Sequence, residues 1–406
     1  MPYVDLLASD DHAAVWYTTN TNFCHVSSFN PERPTIIMLH PPFLDSTWLT
    51  NQFADPRIGL HYNVIAFDLR CSGKSWSKPS GYHDCWVEAA DIAFAHQMLH
   101  LPPAHVFAVG NIAVPIALRF AILFPDLCLS LTLCSVPPQT ELKFVFNIFD
   151  EMFQSWCYAE DLESFEHAAN EAVTFLAGPK CDPDLQDELI AHWESHYPPF
   201  RRSRLVELVN LIMNRTSLSS QEYKAIRQPV LIVQGSHSET HPVKHAQLLQ
   251  SELVNAAGGA HLYIVQGAVG TLSIVPAFAS IVNQTFAKFL SRQPLVRSDL
   301  SPPSKPIETR MRSALAKLAD LAGDPSIASR PARSSASFSR VTSEVARSQL
   351  DTIRIYAKDQ GRAFSPLGPD GRPIRKFSER IQGHWFHGEH DGLSYAGSMP
   401  KSTPGT

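Results

Sequence analysis

The chain has 406 residues, of which 44% are hydrophobic and 18% charged, a composition typical of a globular protein with a substantial buried core. The net charge is −5, with acidic residues in excess up to residue 290 and basic residues in excess after it. The basic region lacks dense basic runs and interleaved aromatic residues, so specific nucleic-acid binding is not expected. No apolar run is long enough to span a bilayer, which argues against a membrane-spanning protein.

Seven cysteines are scattered through the sequence without a Cys-x-x-Cys pair. This pattern favours reduced thiols and offers no zinc site of the usual structural spacing. The first residues, MPYVDLLASDD, lack the basic and apolar regions of a secretory signal. We therefore expect a cytoplasmic protein.

The first 137 residues alternate between strand and helix patterns. Residues 2–20 predict a hairpin, and continuous apolar runs predict buried strands at 34–40, 61–70, 105–111 and 128–135. Helical spacing occurs between residues 84 and 101, and again from residue 112 to about residue 124. Short connections between such elements predict a mostly parallel sheet flanked by helices, an α/β fold.

The alternation stops between residues 138 and 226, where only helical patterns occur, and it resumes over residues 227–292. Helices inserted into an otherwise regular sheet predict a cap over one end of that sheet. Ligands of open α/β sheets bind outside the carboxyl ends of the strands, so the cap is expected to cover a pocket. The predicted core therefore has two parts, residues 1–137 and 227–292, with the helical cap between them.

Residues 293–406 are rich in Ser, Pro and Arg, and we interpret them as a mostly disordered tail. Two stretches in the tail, 307–321 and 341–356, have apolar residues at helical spacing. Either helix could dock on a protein partner or on the body, but the composition favours transient helices in a solvated tail.

Several strings in residues 1–292 match one family in the expected order. They are LHPPFLDSTWL (39–49), FDLRCSGKSWS (67–77), AVGNIAV (108–114), ALRFAILFPDLCLSLTLCS (117–135) and TLSIVPAFASIVNQTFAKFL (271–290). The chain resembles the α/β-hydrolase-fold superfamily, of the AB hydrolase-1 type, and divergent fungal members in particular. The resemblance implies a catalytic turn after the third buried strand and an oxyanion loop after the first, here with Pro41 where the family has glycine.

The resemblance also implies a Ser-His-Asp triad, and this sequence departs from it at all three positions. Ile112 stands at the nucleophile, Ser238 at the acid with Glu239 beside it, and Thr271 at the base. Shifting the alignment by one residue, so that Asn111 stands at the nucleophile position, does not restore a nucleophile, because a neutral amide is a poor one. Threonine cannot act as a general base near neutral pH. No catalytic residue is therefore assigned, and the sequence leaves open whether the protein is an enzyme.

We expect the strand ends to bring together a ligand-binding set: His40, Pro41, Asn111, Ile112, Glu239 and Thr271. The favoured interpretation is a non-catalytic binder of a small apolar ligand or a partner, without cofactor or metal. A second is an atypical hydrolase or lyase that recruits Ser46, Cys134, Ser135, Glu239 or a cap histidine. A third is an interaction platform that works through the tail.

Other patterns are interpreted as solvated surface. His237, His241 and His245 are spaced by four, but a proline at position 242 separates them at a helix start. The string HWFHGEHDG (384–392) and the cap arginines 201, 202 and 204 are weak candidates for a metal and an anion, respectively. The Gly-Lys-Ser at 73–75 lacks the upstream glycine of a phosphate-binding loop.

Overall fold

The computed structural model describes residues 2–380 of the chain. A nine-stranded sheet forms the centre of this part of the chain. The strands are β1 (Tyr3–Leu7), β2 (His12–Thr19), β3 (Thr35–Leu39), β4 (Asn63–Phe67), β5 (Trp76–Ser77), β6 (Ala104–Val109), β7 (Cys128–Cys134), β8 (Val230–Gly235) and β9 (Ala260–Val265). Their order is β1-β2-β4-β3-β6-β7-β8-β9, with β5 paired to β2.

The sheet is antiparallel at the β1–β2 and β2–β4 pairs and parallel from β4 to β9. Every residue of β3, β4, β6 and β8 is buried, which requires cover on both faces of the sheet. By contrast, β1 alternates between exposed and buried positions, as expected for an edge strand with one face in contact with solvent. The continuous apolar runs in the sequence thus predicted the central strands correctly.

Helices of the first core part are α1 (Thr50–Phe53), α2 (Pro56–Gly59), α3 (Cys85–Met98) and α4 (Gly110–Leu123). The Asp84 carboxylate begins α3 by accepting the backbone N–H groups of Trp86 and Val87. Helix α4 follows β6 directly, so its first turn lies at the carboxyl end of the sheet. This junction is where the sequence predicted the catalytic turn.

Five helices lie between β7 and β8: α5 (Lys143–Cys157), α6 (Leu162–Ala177), α7 (Pro183–His196), α8 (Arg202–Met213) and α9 (Ser220–Lys224). Trp156 of α5 and Trp193 of α7 are buried between them, with ring centroids 5.4 Å apart. The helical insertion and the fold class agree with the prediction. The limits given for the separate core and cap parts stay predictions.

The second core part adds α10 (Val243–Glu252) and α11 (Pro276–Leu290), and the region after it adds α12 (Ile307–Ala322) and α13 (Ser343–Ala357). The last two are the helices that the sequence anticipated in its tail. They are not solvated, because Met311, Leu315 and Leu318 of α12 are fully buried. The expectation of disorder therefore needs correction for residues 293–380, while the string 384–392 lies outside the described residues.

The region after residue 292 is fastened to both the core and the cap. Phe338 is fully buried and packs near Phe124 at the end of α4, with ring centroids 6.2 Å apart. Arg375 makes a bidentate ion pair with Glu166 of α6, at 2.8 and 3.1 Å. Each apolar side chain buried in this way contributes about 1.5–3 kcal/mol. The sequence left docking on the body open but did not favour it, because the surface that α12 covers is formed only by the folded body.

None of the helices in residues 2–380 is long and apolar enough to cross a membrane.

Candidate functional site

The turn from β6 to α4 centres on Gly110. Gly110 has φ +80°, in the left-handed region, and it is the first residue after the strand. The nucleophile of an α/β-hydrolase elbow occupies such a strained strand-to-helix position. The structure therefore moves the elbow position from Ile112 to Gly110. Ile112 is 1% exposed and packs in the core instead. Because glycine has no side chain, the apex of the turn offers no nucleophilic atom.

The loop after β3 faces this turn and differs from an ordinary oxyanion loop. Pro41 and Pro42 follow His40, and proline has no backbone N–H to donate. Phe43 comes next with φ +62°, and its carbonyl oxygen accepts a hydrogen bond from the Trp193 indole at 2.9 Å. This bond ties the loop to cap helix α7.

His40 is a structural residue rather than a pocket residue. Its side chain is fully buried, and both ring nitrogens have backbone partners. Nδ1 donates to the Pro41 carbonyl at 2.8 Å, and Nε2 accepts the N–H of Leu69 at 3.1 Å. His40 and Pro41 do not line the pocket as expected, because the His40 ring holds the loop and Pro42 takes the position beside the pocket.

The loops after β8 and β9 supply the polar side chains of the site. Thr271 is 2% exposed and lines the pocket, and its N–H donates to the Leu176 carbonyl of the cap at 2.7 Å. Glu239 is exposed and does not line the pocket, which contradicts its predicted place. Ser238 is buried, where its hydroxyl accepts the N–H of His241 at 3.1 Å.

A chain of polar groups runs from this loop to the elbow. The imidazole Nε2 of His241 donates to the side-chain oxygen of Asn111, and its Nδ1 accepts from the Thr240 hydroxyl at 2.8 Å. Asn111 in turn lies 3.5 Å from the carboxylate of Glu141, which pairs with Arg215 at 2.7 Å. Burial, reinforced by the charge of Arg215, lowers the pKa of His241 to about 3. The ring is therefore neutral at physiological pH.

These groups open into a mostly apolar pocket between the sheet and the cap. Its polar end is formed by Asn111, Thr240, His241 and Thr271, beside Gly110. The remaining lining residues are Pro42, Phe43, Val145, Phe149, Met152, Phe153, Trp156, Ala172, Phe175, Leu176, Trp193 and Leu205. The pocket lies where the sequence predicted it, at the carboxyl ends of the strands and under the cap.

Comparison with known proteins identifies the family. The sequence profile of the alpha/beta hydrolase fold matches residues 36–268, more than half of the chain. The chain belongs to the α/β hydrolase family. No curated protein matches its sequence.

Solved structures of α/β hydrolases superpose on most of the chain at low sequence identity. A hydrolase from Pseudomonas aeruginosa is 18% identical, covers 71% of this chain and 98% of its own, and gives a TM-score of 0.56. An enol-lactonase from Burkholderia xenovorans (14% identical, 72% and 100% covered, TM-score 0.56) and a bromoperoxidase from Bacillus anthracis (14%, 71% and 99%, TM-score 0.55) are similar. At these identities the likeness concerns the fold alone.

The sequence missed Thr240 and His241 as pocket residues of this α/β hydrolase. His237, His241 and His245 do not form one donor cluster; His237 is exposed, whereas His241 turns inward to Asn111. The available signal was Pro242, which immediately precedes α10 and leaves the side chains before it in the loop after β8. Spacing by four suggested a common helix face, but the first two histidines precede the helix.

The other residues considered for recruitment lie outside the pocket of this α/β hydrolase. Ser135 is 1% exposed, and its hydroxyl accepts the N–H of Leu272 at 3.4 Å. Burial raises the pKa of the Cys134 thiol far above its ordinary value, which makes it a poor nucleophile. Ser46 is also buried and does not line the pocket.

The cap arginines hold backbone carbonyl groups rather than forming a free anion site. Arg202 donates to the Tyr356 carbonyl at 2.6 Å and to the Lys358 carbonyl at 2.5 Å, and so fixes the segment after α13. Arg204 donates to the carbonyls of Cys71 and Gly73. Arg201 donates to the carbonyl of Ser195 at 3.3 Å.

Proposed function

We propose that this α/β hydrolase fold protein binds a small, mostly apolar molecule in the capped pocket without covalent turnover. The observation that carries this proposal is that glycine (Gly110) occupies the elbow position and threonine (Thr271) occupies the position of the general base. An acyl-transfer mechanism needs a nucleophile at the first and a general base at the second. In subtilisin, loss of the nucleophile alone lowers turnover by about a million-fold.

The pocket lining indicates the class of ligand. Aromatic and aliphatic side chains from α5, α6 and α7 cover most of the wall, and polar groups cluster at one end beside Gly110. An alkyl or aryl body with a single hydroxyl, carbonyl or carboxyl group suits this arrangement. Each buried methylene group contributes about 0.8 kcal/mol.

One observation favours a second candidate, an atypical hydrolase. The Thr240 hydroxyl lies 2.8 Å from Nδ1 of His241, and both residues line the pocket. A hydroxyl beside an imidazole is the minimal nucleophile–base pair. Against this candidate, His241 has its pKa lowered to about 3, so the ring is a weak base at neutral pH.

Ligand binding can be measured by thermal shift with decanol, decanoate and a decanolactone as probes. We expect at least one probe to raise the Tm of the wild type in a concentration-dependent way. Ala172→Trp places a large side chain on the pocket wall and is expected to abolish the shift. Glu171→Trp introduces the same side chain at the neighbouring exposed position and is the matched control.

Turnover separates the two candidates. The full chain is assayed with p-nitrophenyl butyrate beside a heat-inactivated sample and the variants Thr240→Val and His241→Gln. Equal rates in the native and inactivated samples support the binding protein. Saturable turnover that either variant removes would overturn the proposal in favour of the Thr240–His241 hydrolase.

A further inference from the structure

Cap helix α7 ends with the sequence HWESH, which places His192 and His196 four residues apart on one face of the helix. Their rings stack with centroids 4.2 Å apart. Asp45, in the loop after β3, faces them, with its Oδ2 3.7 Å from Nε2 of His196. The three donor atoms all lie within 4.8 Å of one another.

Each of the three side chains contributes one polar atom to this cluster. Nε2 of His192 is buried and has no hydrogen-bond partner within residues 2–380, an arrangement that costs free energy. The Nδ1–H of His196 donates to the His192 carbonyl at 2.9 Å, which leaves Nε2 as the acceptor. Oδ1 of Asp45 accepts the N–H of Thr47 at 2.9 Å and leaves Oδ2 available.

We propose that Asp45, His192 and His196 form a binding site for a divalent cation of the zinc class. Two imidazoles and one carboxylate suit zinc and its neighbours, whereas magnesium and calcium prefer oxygen ligands alone. The backbone carbonyl behind His196 supplies the supporting contact that metal-bound histidines usually have. Metal–ligand bonds of about 2.0–2.1 Å require the donors to move closer together, and the side chain of His196, which is only partly buried, has room to shift.

The surroundings provide a route for the ion. His192 lies at the wall of an open surface cavity that Asp182, Asp184 and Glu188 also line. These carboxylates give the cavity a negative potential that attracts cations. Three protein ligands leave at least one coordination position for water.

A bound ion would join the cap to the core at a defined place. Asp45 belongs to the loop after β3, and the histidines belong to α7. The same two segments already meet where the Trp193 indole donates to the Phe43 carbonyl. Metal binding is therefore expected to stabilise the cap against the core and to raise the Tm, whether or not the pocket binds a ligand.

A second donor cluster, Cys71, His83 and Glu207, is less suited to a metal. Nδ1 of His83 lies 3.6 Å from the Cys71 sulfur, but its Nε2 is already paired with Glu88 at 2.7 Å. Although burial alone would lower the pKa of His83, the hydrogen bond and charge of Glu88 raise it. The contacts of His83 with Glu88 at 2.7 Å and with Glu207 at 3.7 Å account for this buried cluster without a metal.

The test is calorimetric titration of the chelator-stripped full chain with Zn²⁺. We expect one strong site, with affinity lowered by about 100-fold or more in His192→Ala/His196→Ala, because a site with one ligand left binds zinc poorly. His167→Ala removes an exposed histidine of α6 and is the matched control. Asp45→Asn keeps the side-chain shape and is expected to weaken binding while circular dichroism shows an intact fold.

Cobalt supplies a second readout that identifies the ligands. Co²⁺ at the proposed site is expected to show visible d–d bands without a thiolate charge-transfer band. A charge-transfer band that Cys71→Ser removes would place the ion in the other cluster and overturn the proposal. Equal Zn²⁺ affinity in the wild type and the double histidine variant would overturn it as well, as would the absence of a strong site.

Discussion

The ring carbon Cδ of Pro42 lies 3.2 Å from the place that a Cβ atom on Gly110 would occupy. The elbow and the loop after β3 are therefore in close contact at the point where a hydrolase would hold its nucleophile and oxyanion. Gly110 satisfies two demands at once, since it takes a positive φ and leaves room for the proline. The turn and the loop thus keep a hydrolase-like arrangement around a residue, Gly110, that carries no side chain.

The placement of the elbow at Gly110 can be tested by restoring a serine. Gly110→Ser combined with Thr271→His is expected to react with a fluorophosphonate probe, because both side chains would face the pocket. Ile112→Ser combined with Thr271→His is the matched control and is expected to stay unlabelled, because position 112 is 1% exposed. Labelling is quantified by intact-mass spectrometry. Reaction of the Ile112 variant alone would contradict the assignment.

The docking of α12 predicts that the region after residue 292 stabilises the body. Leu315 is fully buried, so Leu315→Ala is expected to lower the free energy of unfolding by about 2–5 kcal/mol. Leu295→Ala is the control, because this leucine is 83% exposed and its loss should change stability by less than about 0.5 kcal/mol. Urea denaturation measures both. Equal effects of the two substitutions would show that α12 is not packed as described.

The contact of Arg375 with Glu166 predicts a second stabilising attachment. Glu166 is fully buried, and the guanidinium of Arg375 is about a third exposed. Within residues 2–380, Arg375→Ala leaves the carboxylate with one cationic partner, Arg380 at 3.7 Å. We expect a loss of roughly 2–3 kcal/mol, somewhat below the cost for a fully buried ion pair. Arg372→Ala alters an exposed arginine of the same segment and is expected to have little effect; if both variants unfold alike, the ion pair contributes nothing.

The strands and the cap could be predicted because their signals are local. Continuous apolar runs are needed wherever both faces of a strand are covered, and a break in strand–helix alternation marks an insertion. Local patterns could not predict which residue stands at the apex of the elbow, since small residues occur around both Gly110 and Ile112. The useful signal was the single glycine between residues 105 and 120, because only glycine takes a positive φ at low cost.

The docked tail and the polar network needed information that no short stretch contains. Leu315 and Leu318 show helical spacing, but this spacing does not reveal whether a helix meets solvent, a partner or its own body. The surface that α12 covers arises from α4 and its neighbours after folding. Likewise, His241 meets Asn111 across 130 positions of sequence. Composition therefore indicated disorder where packing supplies order.

Buried neutral histidines predict that the protein loses stability in mild acid. Burial lowers the pKa of His105 to about 4, whereas an imidazole in the unfolded chain titrates near 6.5. Below pH 6.5 the unfolded state binds a proton that the native state does not, so stability falls as the pH drops from 6.5 towards 4. Between pH 7 and pH 5 this one group accounts for about 2 kcal/mol.

Substitution of His105 measures this contribution directly. His105→Gln keeps a polar side chain opposite Ser130, its partner at 2.8 Å, but removes the titrating ring. The variant is expected to lose less stability than the wild type between pH 7 and pH 5, by about 2 kcal/mol in urea denaturation. His261→Gln alters an exposed histidine on β9 and should follow the wild type. An unchanged pH dependence in His105→Gln would mean that the ring is not held neutral inside the sheet.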